Sequence, residues 1–135
     1  MTVGFNHLGQ LGQLGNQMFQ YAITKSVASK LNVPFKIPNH QNVFDDGIGN
    51  RYTILLFDIF KLESLTNFGF VDTQKYVQEG HFHYDEDIFN ISPQEDFSLW
   101  GFFQSEKYFK DIENDIRDDF KFKDELVSSC QSIIE

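Results

Sequence analysis

The sequence has few of the residues that most often mark a chain's chemistry. There is one cysteine, Cys130, so neither an intrachain disulfide nor a cysteine-built zinc site can form. A lone thiol suits a reducing compartment. Arginine is nearly absent, with only Arg51 and Arg117, and the net charge is −9. That balance argues against a nucleic-acid binder or an anionic-membrane binder, since both need basic patches. Apolar runs are short: Ile54-Leu55-Leu56-Phe57 is core-sized, far below the ~18 residues of a membrane span. No basic segment followed by an apolar one opens the chain, so no signal peptide is expected and the reading is cytoplasmic. With no secretion signal, the glycosylation triplet Asn90-Ile91-Ser92 is read as coincidence.

What is present suits one folded domain. The chain has 135 residues, 41% of them hydrophobic and 23% charged, too few charges for a disordered tail. Sixteen phenylalanines against one tryptophan supply large rings for a core.

The most informative stretch runs from Gly9 to Ala22. Thr2-Val3-Gly4-Phe5-Asn6-His7-Leu8 precedes it, leaning apolar, and a helical pattern follows. The order predicted is strand, glycine-rich turn, helix. Gly9, Gly12 and Gly15 let the backbone take positive φ angles and let a ligand come close. Asn16 is placed to cap the helix, and the free amides of its first turn attract anions such as phosphate. No Gly-Lys-Ser/Thr follows, so this is not a P-loop, and the glycine spacing does not fit G-x-G-x-x-G. A plain strand-to-helix turn accounts for these features equally well.

Residues 16–31 are predicted as a helix, with Phe19, Ala22, Ile23, Val27 and Leu31 on one face. Met18, Phe19 and Tyr21 read as core. Lys25 and Lys30 lie toward its C-terminal end, where cations complement the dipole, and Asn32 can stop it. Val33-Pro34-Phe35-Lys36-Ile37-Pro38 reads as a short strand, completing a β-α-β unit. Residues 39–53 read as polar loop, with Asp45-Asp46-Gly47-Ile48-Gly49-Asn50 a solvated turn because EF-hand spacing is absent. Phe60 to Leu65 fits a strand end or a helical turn. Residues 69–84 contain one or two short strands. His81 and His83, followed by Asp85, Glu86 and Asp87, allow a metal cluster, but a solvent-facing strand edge before an acidic turn explains them better.

A second stretch runs from Phe97 to Phe109. Residues 97–103 are nearly all apolar, as in a strand buried on both faces of a parallel sheet. Gly101 marks a bend. Ser105 can cap the next helix, with Glu106 in its first turn. On that helix Phe109, Ile112, Ile116 and Phe120 share a face, while Asp111, Glu113, Asp115 and Asp118 meet water. Asp124 begins a last helix, with Leu126, Val127, Cys130 and Ile134 expected inward.

Two of these stretches resemble one family. Gly12 to Ala22 is similar to the N-terminal motif G-G/R-L-G-N-Q-M-F-Q-Y-A of the alpha-1,2-fucosyltransferases, glycosyltransferase family eleven, at ten of eleven positions, with Gln13 the departure. Gly101 to Phe109, with Phe120-Lys121-Phe122 beyond, resembles the family's G-Y/F-F/W-Q-S-E-K-Y-F segment and the acidic helix after it. Tyr84-Asp85-Glu86-Asp87-Ile88-Phe89 also fits the family pattern, and the family is not known as metal-dependent. The resemblance covers the chain from residue 3 to about 126.

It implies an α/β fold, a Rossmann-like parallel sheet with flanking helices like the N-terminal domain of a GT-B glycosyltransferase, with residues 1–135 as that single domain. It implies transfer of L-fucose from GDP-β-L-fucose to the 2-hydroxyl of a galactose-type acceptor glycan, with inversion and no metal. The substrate-binding residues expected are Gly12, Gln13, Gly15, Asn16 and Gln17 on one wall of a cleft, and Gln104 and Ser105 on the next. Capping and turn formation explain Gln104 and Ser105 equally well. His7 is either a base or a satisfied polar side chain at a strand end. No carboxylate stands out as the base. The family's later motif H-x-R-R-G-D-Y, whose arginines engage the donor diphosphate, does not occur here. With two arginines in all, the chain is therefore expected to be an N-terminal part, inactive alone, of a protein whose full length leaves weak membrane association open. Two other readings stay open: a non-catalytic α/β module binding sugar or a partner protein, and a related glycosyltransferase using another nucleotide sugar.

Overall fold

A computed structural model describes residues 1–10, 14–38, 43–45, 48, 51–62, 64–79, 86–89 and 95–134. Four short strands form one all-parallel sheet. In chain order they are β1 (Val3–Gly4), β2 (Phe35–Lys36), β5 (Tyr76–Gln78) and β6 (Phe97–Trp100), and their order across the sheet is β2-β1-β6-β5. Between β2 and β5 lies a two-stranded antiparallel pair, β3 (Val43–Asp45) with β4 (Arg51–Thr53). The helices are α1 (Leu14–Leu31), α2 (Leu56–Ile59), α3 (Glu113–Asp119) and α4 (Asp124–Ile134), with 3-10 helices at Glu86–Phe89 and Glu106–Ile112. The chain is thus an α/β protein with a Rossmann-like parallel sheet flanked by helices.

The strand β6 is central and reads so in the sequence. Phe97, Ser98 and Leu99 are all buried, the pattern of a strand covered on both faces. It pairs with β1 on one side (Gly4 opposite Ser98) and β5 on the other (Gln78 opposite Trp100). Phe97 and Leu99 join Val3, Phe5, Leu8, Tyr21, Ile23 and Val27 in the core.

Along α1, Gln17, Gln20, Tyr21, Ala22, Ile23, Thr24, Ser26, Val27 and Ala28 are all buried. The helix is therefore sunk on more than one side rather than laid down on one stripe. The polar positions tolerate this because they are hydrogen-bonded: Thr24 Oγ1 donates to the Gln20 carbonyl and Ser26 Oγ to the Tyr108 carbonyl. The C-terminus follows expectation. Asn32 takes φ 56°, its amide donates to the Ser29 carbonyl and the Val33 amide to the Ala28 carbonyl. That is the double bond of a left-handed helix stop.

Several expectations are corrected. The helix begins at Leu14, so Asn16 lies in its first turn rather than at its cap. Lys25 does not serve the helix dipole. Its Nζ donates to Asp119 Oδ2 at 2.6 Å, the two side chains 13% and 2% exposed. Residues 39–53 are not all loop, since they contain β3 and β4; the polar residues around them hide two short pairing segments from a reading by composition. The helix expected after Ser105 is broken. Phe109 has φ −126°, and a 3-10 segment precedes α3. Finally, of the residues expected inward on α4, Val127 and Cys130 are exposed and Leu126 is half-buried, and the side chain of Ile134 lies outside the described residues. Its start is held by Lys61 to Asp124 at 3.0 Å and by the Lys123 amide to the Ile59 carbonyl.

Candidate functional site

Open α/β sheets bind ligands beyond the carboxyl ends of their strands. At that end β1 and β6 are neighbours, and the two loops that leave them carry the two distinctive sequence stretches. The loop from β1 runs through Phe5 to Gln10 and into α1. The loop from β6 runs through Gly101 to Ser105.

Asn6 organises the first loop, and sequence reasoning missed it. It is buried; its amide donates to Ser98 Oγ at 2.9 Å, its Nδ2 to the Val71 carbonyl at 2.9 Å, and its Oδ1 accepts from the Val71 amide at 2.7 Å. One residue thus joins the end of β1 to β6 through its backbone N–H and to the segment before β5 through its side chain. The approach is close enough that a Cβ on Gly4 would lie 2.2 Å from Val71 Cγ2. An asparagine just past a buried strand was the available signal.

A carboxylate shapes the second loop. Glu79 Oε1 accepts from the Phe102 amide at 3.2 Å and Oε2 from the Phe103 amide at 3.0 Å. The turn needs Gly101 at φ 143° and puts Phe103 at φ 52°. A Cβ on Gly101 would lie 2.6 Å from Glu79 Cβ. Gly101→Ala is therefore expected to cost about 2 kcal/mol in urea unfolding, from the strained φ and the displaced Glu79. Gln20 Nε2 donates to the Gly101 carbonyl at 3.2 Å and fixes α1 beneath this turn.

The two loops meet. Gln104 Nε2 donates to Asn16 Oδ1 across 88 positions of sequence. Gln104 is exposed, Asn16 half-buried and Gly15 exposed. Gln17 points the other way: it is 1% exposed, and its Oε1 accepts from the Leu55 amide at 2.7 Å. Ser105 caps the 3-10 helix, its Oγ accepting from the Lys107 amide at 3.3 Å. Gly12 and Gln13 lie outside the described residues, as do His81, His83 and Asp85. The arrangement so brings together Asn16 and Gln104, with Gly15 and Ser105 beside them in sequence, and turns Gln17 into the core.

His7 stands in the first loop, just past β1. Its Nδ1 is shielded from solvent and has no hydrogen-bond partner among the described residues. The ring stands edge-on to Trp100 at 4.5 Å between centroids and lies 5.5 Å from Tyr76.

A buried ionic cluster joins α1 to α3. Asp119 accepts from Lys25 Nζ, from Tyr21 Oη at 2.8 Å and from Ser64 Oγ at 2.7 Å. Burial pushes the Asp119 carboxyl up, but hydrogen bonds from Lys25, Ser64 and Tyr21, with the Lys25 charge, outweigh it and hold it below the usual range. Burial, then the bond to Asp119 and its charge, push the Tyr21 hydroxyl above its usual value. Tyr21 and Lys25 belong to α1 and Asp119 to α3, so this cluster braces the one helix against the other.

A concavity of about 580 Å³ opens at the opposite, amino end of β5 and β6, lined by Asp72, Thr73, Gln74, Lys75, Glu95 and Asp96. Three carboxylates against one lysine repel a diphosphate, so its size does not make it the better candidate. Among the described residues no group of three or more His, Cys, Asp or Glu side chains could hold a metal ion, and no helix is long and apolar enough to cross a membrane. Comparison with known protein families, with curated proteins and with solved structures finds no match for this chain.

Proposed function

We propose that this chain is the N-terminal, Rossmann-like half of a GT-B-type galactoside alpha-1,2-fucosyltransferase, using GDP-fucose and a galactose-containing acceptor. One observation carries the reading: the Gln104–Asn16 hydrogen bond joins the two segments that resemble the family, at the carboxyl ends of adjacent parallel strands. Either segment alone is a turn and a helix start. Together they make two walls of one cleft.

In this proposal the acceptor 2-oxygen bonds to the anomeric carbon of fucose as the bond from that carbon to the GDP oxygen breaks. The hydroxyl proton passes to a base, and the β-linked donor gives an α product. The free amides at the start of α1, around Gly15 and Asn16, favour the negative diphosphate. With Asn16 Oδ1 turned to Gln104, its Nδ2 donates toward a phosphate or sugar oxygen. Gln104, exposed, is left to meet acceptor hydroxyls through its Oε1. Gln17 is a support for the Leu55 backbone rather than a ligand contact, and Ser105 is a cap that sets where Gln104 stands.

Calorimetric titration tests the donor half of this reading. The 135-residue chain is expected to bind GDP-fucose and GDP weakly or not at all, because the arginine motif implied for the diphosphate is not in it. The complete product of the gene is expected to bind GDP-fucose at micromolar concentration and to prefer it over UDP-galactose. Micromolar binding by the chain alone would sink the two-part reading, and preference for another nucleotide sugar would sink the fucose assignment.

A further inference from the structure

Three aromatic rings, from β5, β6 and the loop after β1, meet on one face of the sheet. Tyr76 opens β5, Trp100 ends β6 and His7 lies just past β1. Tyr76 pairs with Ser98, two residues before Trp100, so strand alternation puts Tyr76 and Trp100 on one face. The opposite face carries Phe97 and Leu99, which are core. His7 links the rings, edge-on to Trp100 and tilted against Tyr76. Tyr76 is 40% exposed, while His7 and Trp100 are half-buried. His7 Nδ1 makes no bond to any described residue, so the contacts seen for this imidazole are with the two neighbouring rings.

We infer that His7, Tyr76 and Trp100 form a stacking platform for the apolar face of a galactose-type pyranose. The chemistry selects this ligand class. Aromatic rings with polar edges suit a ligand that is apolar on one face and hydroxylated around its rim. In galactose the axial 4-hydroxyl leaves the hydrogens of carbons 3, 4, 5 and 6 on one side as such a face. The platform offers it ring surface, with the Tyr76 hydroxyl, the indole N–H and the imidazole at the margins. An anionic ligand is disfavoured here, since the chain carries −9 overall and none of the three side chains is a fixed cation. The position fits an acceptor subsite. Trp100 is four residues before Gln104, and His7 lies in the loop that leads to Asn16. The choice of galactose over other hexoses rests on the proposed function.

Trp100 is the only tryptophan, so its fluorescence reports this place alone. Titrating the chain with methyl β-galactopyranoside is expected to change that emission saturably, with a Kd of about 1 mM, the affinity typical of so small a ligand. Tyr76→Ala and His7→Ala should each weaken binding about 3- to 10-fold, the size of one aromatic contact. Tyr76 is exposed enough that its variant should fold, and far-ultraviolet circular dichroism checks this. No saturable change up to about a hundredfold excess over that Kd, or a change untouched by Tyr76→Ala in a folded variant, would overturn the platform. A response to GMP but not to the galactoside would overturn it too, in favour of a base-stacking site. Failure here with fucosyl transfer intact would remove the platform alone. A galactoside response with no transfer from GDP-fucose by the complete gene product would remove the transferase reading alone.

Discussion

Asp119→Ala is expected to lower the unfolding free energy by about 3–5 kcal/mol, the cost of breaking a buried ion pair by removing one partner. Asp119 is 2% exposed and accepts from Lys25, Tyr21 and Ser64 at once. Without it Lys25 keeps a charge that is only 13% exposed, and the Tyr21 hydroxyl loses its acceptor. Domains of this size have about 5–15 kcal/mol in total, so the variant should lose a large part of its stability. Urea unfolding followed by circular dichroism measures it. A loss under about 1 kcal/mol would mean that the cluster is satisfied by water and does not brace α1 against α3.

The same cluster sets a pH window. The Asp119 carboxyl is lowered in the folded state, so its stabilisation is complete above the unfolded value of about 3.9 and is lost as pH falls through the lower folded value. The Tyr21 hydroxyl is raised, so its contribution is complete below about 10 and is lost as pH rises toward its folded value. Stability from these two groups should be flat between about pH 5 and 9 and fall on both sides. In Asp119→Ala the acid arm should be shallower.

Asn16→Ala is expected to lower kcat/KM for fucosyl transfer by about 100-fold in the complete gene product, the scale of losing one donor aimed at developing charge. It should leave the melting temperature nearly unchanged. Asn16 is half-buried in the first turn of α1, and its replacement is a good helix former. The pairing of these outcomes is the informative part. A polar group kept for catalysis can be removed with little structural cost, whereas one kept for the fold cannot. Unchanged turnover would leave Asn16 as a plain helix residue and would take the Gln104 contact with it.

How much of this was legible in the sequence depended on how local each signal was. The helix α1 and its stop at Asn32 were readable because periodicity and a left-handed asparagine act within a few residues. The same holds for β6, whose apolar run needs no partner to be recognised. The Asp119 cluster was not readable. Its ion pair spans 94 positions, and within its own helix Asp119 is one more acid among several. The Phe109 break and the exposure of Val127 and Cys130 on α4 were missed for a related reason: helical spacing shows which residues share a face, not whether anything packs against it. For the site, the wording of the two stretches singled out Asn16 and Gln104. Their meeting followed only from the strand order β2-β1-β6-β5, which puts the two loops side by side. Asn6, Glu79 and His7 hold or line those loops through contacts that no spacing rule announces.

Product analysis after incubation with GDP-fucose and a β-galactoside tests the central claim most directly. The complete product of the gene that encodes this chain should release GDP and place fucose on the galactose 2-oxygen in α linkage, read by the anomeric proton coupling and the linkage correlation in NMR. Asn16→Ala should slow that product's appearance without changing its linkage. No transfer by a folded protein, transfer to another hydroxyl, or transfer from a different nucleotide sugar would contradict the account.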